Sequence, residues 1–274
     1  MITRIEHATV WTGVVTTDGS ILQSDAVAFD EHGILALGDA ARAISADVVV
    51  DAGGGFACAA FRDGHVHSIF GGFEQVIAPV RDHATPQEIA AAVGAWAADN
   101  PDVEWVRGEG FDHTLAPEGL FYATWLDAYV PDRPVVLRAT DYHTVWVNSE
   151  ALRRVGYTKD TPQPHDGDIV RDAAGEPMGT LREWGAWRPV YNLMPPLTRE
   201  QAIEALTFAS NAYVSAGLTW VQDAWVEPAD VDSWLAAAQE GVLAFRADLA
   251  LWCDPNSWRD QLDHFVAARE RVQA

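Results

Sequence analysis

Two histidines separated by one residue, His65-Val66-His67, follow the compact apolar run Phe56–Phe61 after the three residues Arg62-Asp63-Gly64. If this run is a strand, side chains at positions i and i+2 point to the same face, so the two imidazoles converge. Asp63 lies two positions earlier on that face. Two neutral imidazoles side by side pack poorly in a core but are good ligands for zinc or a similar divalent ion. The motif therefore predicts a metal site, with a structural role for the pair as the alternative.

The segments around this motif predict the elements that would position it. Residues 1–60 alternate short strand-like segments with turns such as Asp18-Gly19, which predicts antiparallel β structure. From Gly217 onward the chain alternates strand, helix, strand and helix, the pattern of a parallel sheet or barrel. Residues 157–180 predict a loop with a hairpin. The remaining predicted strands are Val135–Arg138, Leu218–Asp223 and Val242–Trp252, and the predicted helices are Pro86–Asn100, Ser149–Arg154, Thr198–Ala216, Ala229–Glu240 and one capped by Ser257.

Composition excludes several classes of protein. The chain has 274 residues, of which 49% are apolar, and 40 acidic residues against 18 basic ones give a net charge of −22. Such an acidic surface repels phosphate backbones and anionic membranes, so we expect neither a nucleic-acid nor a membrane partner. No apolar run is long enough to cross a bilayer and no secretory signal is visible, so a cytoplasmic location is expected. Cys58 and Cys253 are too few for a disulfide framework, and their apolar surroundings predict core positions.

Several segments, in order along the chain, resemble the amidohydrolase superfamily, and specifically its family 3 branch, which includes N-substituted formamide deformylases. The first is the stretch Phe61–His67, which is similar to the first-strand signature of the superfamily. The segments similar to the family 3 branch are Gly108–Asp112, Asp132–Leu137, Asp141–Leu152, Gly175–Glu183 and Gly217–Ala224.

The resemblance implies an α/β fold built on a (β/α)8 TIM barrel with a small β-sandwich beside it. It places a β-sandwich portion at 1–55, the first barrel strand and metal-ligand loop at 56–69, an α+β insertion at 70–194 and further barrel units at 195–274. It also implies that His65 and His67 are ligands of a divalent metal such as zinc, which would lower the pKa of a bound water and polarise the substrate carbonyl.

The same resemblance indicates what this chain does not contain. An eight-stranded barrel needs about 250 residues by itself, and the segment from 195 to 274 suffices for two or three βα units. The family's carboxylated lysine, two further histidines and catalytic aspartate have no match, because Lys159 lies in a Pro/Asp-rich loop and His264 on a helix face that we expect to meet solvent. We therefore expect an N-terminal half of a larger enzyme, inactive by itself, with its catalytic acid or base elsewhere and a homodimer as one assembly of the full-length enzyme.

The resemblance also implies four substrate-site candidates, each with a competing interpretation. His143 matches a position that faces the active site, but it could serve a structural hydrogen bond. Glu183 could reach the metal or substrate, or form a surface ion pair. Asp112 could touch substrate, and Asp223 ends a predicted strand where barrel sites collect residues but could equally cap a helix. Asn148-Ser149 matches as well and is explained by helix capping.

The leading functional interpretation is a metal-dependent hydrolase of carbon–nitrogen bonds other than peptide bonds, acting on a small amide-type substrate such as an N-substituted formamide. One alternative is a deaminase or cyclic-amide hydrolase of the same superfamily, against which the segment from His143 to Ser149 argues. The other is a non-catalytic binding module that uses the aromatic residues, among them several of the 12 tryptophans.

Overall fold

The computed structural model describes residues 1–255 and 257–273, which form two compact units: residues 1–62 with 217–219, and residues 63–216 with 220–255 and 257–273. The strands are β1 (Thr3–Val15), β2 (Ile21–Asp30), β3 (Gly33–Leu37), β4 (Val48–Asp51), β5 (Phe56–Cys58), β6 (Phe61–Val66), β7 (Ala78–Pro79), β8 (Val106–Phe111), β9 (Val135–Ala139), β10 (Thr144–Val147), β11 (Asp168–Arg171), β12 (Pro177–Arg182), β13 (Leu218–Val226) and β14 (Arg246–Leu251). The helices are α1 (Gly38–Arg42), α2 (Ser68–Phe73), α3 (Pro86–Asp99), α4 (Ala123–Asp127), α5 (Ser149–Val155), α6 (Glu183–Tyr191), α7 (Arg199–Ser215), α8 (Val231–Gln239) and α9 (Leu262–Gln273). The chain is thus a mixed α/β protein.

The first unit is a single sheet in which β1 is the central strand. Its order is β3-β2-β1-β4, and β5 also pairs with β1. The antiparallel structure predicted for residues 1–60 is confirmed for β1, β2 and β3 but is wrong for β4 and β5, which run parallel to β1. The reason is that the helix α1 connects β3 to β4. A helical crossover of this kind lets β4 run in the same direction as β3, and therefore parallel to β1. The core of this unit contains Ala8, Val10 and Val27.

A six-stranded mixed sheet with the order β11-β12-β10-β9-β8-β7 organises the second unit. Strand β9 is buried along its whole length, so its residues alternate between two cores. Val135 and Leu137 belong to the core on the side of α3, whereas Val136 belongs to the core that includes residues of α5 and α6. Arg138 therefore lies on the same face of the sheet as Val136.

Asn148 fixes the end of this sheet at four points. The side chain is fully buried, and its Oδ1 accepts hydrogen bonds from the backbone amides of Val135 and Ala151, at 2.9 and 3.0 Å. Its Nδ2 donates to the carbonyl oxygens of Val130 and Arg133, at 2.9 and 2.8 Å. One side chain thus joins the start of β9, the turn before it and the first turn of α5.

A second sheet in the second unit has the order β14-β13-β6 and carries the histidine motif. β13 and β14 pair in parallel, as the alternation after Gly217 predicts. Helix α2 follows β6 and lies against α7 at Gly72, where an added Cβ atom would come within about 2.0 Å of the carbonyl oxygen of Ala205. Only glycine permits this approach, because the contact is with backbone that cannot give way as a flexible side chain does.

The local start and stop signals predict several helices correctly. The Thr85 side chain caps α3 by accepting from the amide of Glu88, and Thr198 and Gln201 form a capping box at α7. The hairpin predicted within 157–180 is formed by β11 and β12.

Four local predictions are wrong. The cap of α5 is Asn148 rather than Ser149, whose hydroxyl and amide instead bind Asp127. The last helix begins at Leu262 because residues 257–261 form turns, and β14 is shorter than predicted. Cys58 and Cys253 are exposed rather than part of a core; Cys58 is the last residue of β5, whose pairing within the described residues is with β1 alone.

None of the helices in the described part of the chain has both the length and the apolar character needed to cross a membrane.

Candidate functional site

The histidine motif lies at the carboxyl end of β6, and its two rings are close together. The ring centroids of His65 and His67 are 5.2 Å apart and the ring planes are nearly perpendicular. This agrees with the i, i+2 geometry of a strand. The Oδ1 atom of Asp63 accepts a hydrogen bond from the amide of His65 at 3.0 Å.

His67 has the properties of an available metal ligand. Its Nδ1 atom is buried and has no hydrogen-bond partner, and burial lowers the pKa of the imidazole, an effect that the nearby Asp223 opposes. A neutral imidazole with a free ring nitrogen is the form that binds metals. The pair therefore fits a divalent ion as two of its ligands. Among the described residues no group of three or more His, Cys, Asp or Glu side chains is arranged to hold a metal, so further ligands are needed.

Asp223, on β13, supports the segment that carries His67. Its side chain is 2% exposed; Oδ2 accepts from the amide of Ser68 at 2.8 Å and Oδ1 accepts from the amide of Trp225 at 3.2 Å. Burial raises the pKa of this carboxyl group, partly offset by these hydrogen bonds. Asp223 thus ties β13 to the first residue of α2, directly after His67.

The other three candidates lie in different surroundings. His143 Nδ1 is 2.9 Å from Glu183 Oε2, and both side chains are more than half exposed. His143 lines a 210 Å³ cavity that His67 also lines, whereas Glu183 does not. Asp112 is exposed, and its Oδ1 accepts from the amide and hydroxyl of Thr114, so it caps a short 3-10 helix away from the cavity.

Aromatic rings form the walls of that 210 Å³ cavity and of a 440 Å³ cavity, and several residues line both. The indole rings of Trp184 and Trp225 are stacked, 5.3 Å apart with an interplanar angle of 2°. Phe70 and Arg138 also line both cavities. Several other tryptophans are core residues, among them Trp105, Trp146 and Trp234. Lys159 and His264 are exposed, and neither lines these cavities.

Two charged residues of this region were not identified from the sequence. Glu109 on β8 and Arg138 on β9 are register partners in the parallel ladder, so both side chains lie on one face of the sheet and line the larger cavity. Arg138 is 8% exposed, and the Oε2 atom of Glu109 is buried with no hydrogen-bond partner. Each of the two lies in a strand that is otherwise largely apolar, and nothing within these segments shows that the charged side chain is buried.

Burial raises the pKa of Glu109 to about 7, while the charges of Arg138 and Arg107 act to lower it and Glu74 adds to the rise. The folded state then binds a proton that the unfolded chain releases near 4.5. The free energy of unfolding should therefore fall as pH rises from about 4.5 to about 7, by about 3 kcal/mol in total.

We expect Glu109→Gln to remove this part of the pH dependence, because glutamine carries no titrating proton. Urea unfolding of the wild type and the variant at pH 4.5 to 8 measures the effect. The free energy of unfolding of the variant should increase relative to that of the wild type as the pH rises. Glu204→Gln, at an exposed position on α7, is the matched control. Parallel pH profiles for the wild type and Glu109→Gln would contradict the prediction.

A comparison with protein-family models assigns the chain to a family. The model described as "Amidohydrolase family" matches residues 48–273. The chain belongs to the amidohydrolase family, in the family 3 branch that the sequence motifs resemble.

Individual relatives agree with this assignment. The chain is 34% identical over 161 residues to the putative amidohydrolase YtcJ of Bacillus subtilis (strain 168), covering 58% of this chain and 30% of that protein. It is 30% identical over 203 residues to the N-substituted formamide deformylase of Arthrobacter pascens, covering 72% of this chain and 38% of that protein. The chain thus spans less than half the length of these two curated relatives.

A solved structure shares the fold. The crystal structure of an uncharacterized metal-dependent hydrolase from Pyrococcus furiosus superimposes with a TM-score of 0.64 at 18% sequence identity, covering 96% of this chain and 52% of that chain. A second one, from Pyrococcus horikoshii OT3, gives a TM-score of 0.63 at 19% identity, covering 91% of this chain and 48% of that chain.

Proposed function

We propose that this chain supplies part of the metal site and part of the substrate pocket of a hydrolase that cleaves carbon–nitrogen bonds other than peptide bonds. The observation that carries the proposal is the pair His65 and His67, 5.2 Å apart at a strand end, with a buried and unpartnered Nδ1 on His67. The family and the similarity to the N-substituted formamide deformylase of Arthrobacter pascens support an amide or N-substituted formamide as the substrate.

The residues of this chain have distinct proposed roles around that pair. His65 and His67 would hold a divalent ion such as zinc, whose chemistry when bound is to activate water and to polarise a carbonyl. Asp223 holds the backbone after His67 in place through Ser68, so it positions the ligand. The stacked rings of Trp184 and Trp225 offer an apolar surface to the substituent of the amide.

The exposed pair His143 and Glu183 is proposed to contribute at the mouth of the smaller cavity. His143 lines that cavity, and its Nδ1 contact with Glu183 orients the ring. Glu183 has a left-handed backbone conformation, with φ of 61°, which is uncommon for a residue other than glycine and costs on the order of 1 kcal/mol. Strain of this kind is often retained at functional sites, and the pair fits that pattern.

The architecture we propose for the whole protein follows the family. The parallel strands β13 and β14, together with β6, would be the first units of a (β/α)8 barrel, residues 70–194 would be an insertion, and residues 1–55 a portion of a β-sandwich. Further metal ligands and the catalytic acid or base would then come from other barrel strands, and this chain alone would be inactive.

The test is to express the complete product of the gene and the 274-residue chain in parallel, supply zinc, and measure amine release. The substrates are N-phenethylformamide, open-chain amides, a hydantoin and an aminopurine. We expect chelator-sensitive amine release from the formamide or the open-chain amides by the complete product only. Ring opening of the hydantoin or deamination of the purine instead would favour the alternative superfamily activities. Metal-loaded protein with no turnover of any substrate would contradict the proposal.

A further inference from the structure

Arg138 is a buried cation whose hydrogen-bonding capacity is unused. The residue is 8% exposed, and its side chain donates no hydrogen bond and forms no ion pair with any described residue. Glu109 is its register partner on the adjacent strand, yet the two side chains do not bind each other. Within the described residues, the Nε–H group of Arg138 is buried without a partner, which is costly, and the N–H donors at the end of the guanidinium engage no other side chain or backbone group.

The environment of Arg138 compensates only a part of this cost. The ring of Tyr142 lies 4.5 Å from the guanidinium carbon and that of Trp187 lies 5.1 Å from it, with Phe70 and Tyr191 within 6 Å. A cation–π contact recovers less free energy than the burial of an ion costs. These rings cover the faces of a planar guanidinium, and they cannot replace the hydrogen bonds of its N–H edge.

The backbone around this cluster is also held in an uncommon conformation. Tyr142 has φ of 61°, in the left-handed region that non-glycine residues rarely adopt. This conformation follows Asp141, whose Oδ1 accepts from the amides of His143 and Thr144 and fixes the turn. The strained turn thus presents the Tyr142 ring to Arg138, and the cluster is prearranged rather than left to side-chain flexibility.

The smaller cavity gives Arg138 access to a ligand. Among the described residues its lining contains Arg138, His67 and five further side chains, none of which is acidic. An anionic ligand there meets a buried guanidinium without a competing carboxylate in the cavity wall. Carboxylate is the group that a guanidinium edge binds with two parallel hydrogen bonds.

From these observations we propose that Arg138 binds a carboxylate of the substrate, so that the preferred substrates are N-acylated amino acids or related amides with a free carboxylate. The proposal rests on the proposed amide hydrolase function and names its substrate class. The carboxylate would dock on the N–H edge of Arg138 while the amide lies toward His67, and the apolar substituent contacts Trp184 and Trp225.

The test measures binding of two matched probes to the 274-residue chain by isothermal titration calorimetry, without turnover. N-formylphenylalanine carries the carboxylate, and N-formylphenylalaninamide is the same molecule with a neutral amide in its place. We expect the acid to bind about 30-fold more tightly than the amide, because hydrogen bonds to charged groups are worth about 1.5–3 kcal/mol.

Substitutions at Arg138 locate the source of that preference. Arg138→Gln should bind the two probes with equal affinity. Arg138→Lys keeps the charge but cannot form two parallel hydrogen bonds to a carboxylate, so it should keep only part of the preference. If the Arg138→Gln variant does not fold, Arg138→Lys alone tests whether the preference for the carboxylate depends on Arg138. Arg153→Gln removes an arginine that is 69% exposed and paired with Glu150, so it is the matched control for loss of one positive charge.

Equal binding of both probes by the wild type, or no binding of either at millimolar concentration, overturns the proposal. So does a preference that survives in both Arg138 variants, or one that Arg153→Gln also loses. The outcome is separate from that of the proposed function. If the protein prefers the carboxylate but shows no metal-dependent hydrolysis, the binding site at Arg138 stands and the proposed hydrolase function fails. If it hydrolyses neutral amides and shows no preference for the carboxylate, the hydrolase function stands and the binding site at Arg138 fails.

Discussion

Replacing His65 and His67 together by alanine is expected to abolish metal binding and hydrolysis in the complete protein while leaving the fold intact. Both rings lie at the end of β6, His65 is exposed, and neither ring has a hydrogen bond within the described residues that the fold would lose. The loss of two ligands from a site that needs at least three leaves no stable metal centre. Elemental analysis of the purified protein gives the metal content, and circular dichroism confirms the fold.

The matched control for that experiment is His32→Ala with His264→Ala, which also removes two histidines but at exposed positions far along the chain from the motif. The control should retain the metal and the activity of the wild type. Stoichiometric metal in the His65/His67 double variant would show that the ligands lie elsewhere, and loss of metal from the control would show an unspecific effect of histidine removal.

Replacing Asn148 by alanine is expected to lower the free energy of unfolding by about 4 kcal/mol. The substitution leaves four buried backbone groups of Val130, Arg133, Val135 and Ala151 without their side-chain partner, and each net hydrogen bond is worth about 1 kcal/mol. Urea unfolding followed by far-UV circular dichroism measures the change. Because β9 also carries Arg138, carboxylate binding should weaken in the same variant.

Asn100→Ala is the matched control, because that side chain donates one hydrogen bond, to the carbonyl oxygen of Trp96 at 2.8 Å. The expected loss is about 1 kcal/mol. A loss for Asn148→Ala no larger than that for Asn100→Ala would mean that water replaces the side chain and that the four contacts are not coupled.

The sequence predicts those parts of the structure that depend on neighbouring residues. The caps at Thr85 and Thr198 follow from a hydroxyl three residues before a Glu or Gln, and the convergence of His65 and His67 follows from the period of a strand. The choice between Asn148 and Ser149 as a cap could not be predicted, because both side chains can cap a helix. Asp127, 22 residues earlier, engages Ser149 and so leaves the cap to Asn148.

The chemistry of the candidate site depends on longer-range contacts, and this is why the sequence missed Arg138 and Glu109. Their pairing follows from the register of β8 against β9, and the rings around Arg138 come from α2, α6 and the turn before β10. Nothing within the segment Val135–Ala139 distinguishes a buried arginine from one that reaches solvent. The predicted roles of Asp112, His143 and Glu183 in substrate binding stay predictions.

The contact at Gly72 sets a limit on how this protein can be altered for other substrates. The backbone of α2 lies so close to Ala205 that a methyl group at position 72 would force the two helices apart. Since α2 begins directly after His67, that movement would shift the histidine relative to β13. Libraries aimed at new substrate scope should therefore vary the tryptophan walls and hold position 72 constant. The same glycine would be expected to persist in laboratory evolution while the residues around the cavity diversify.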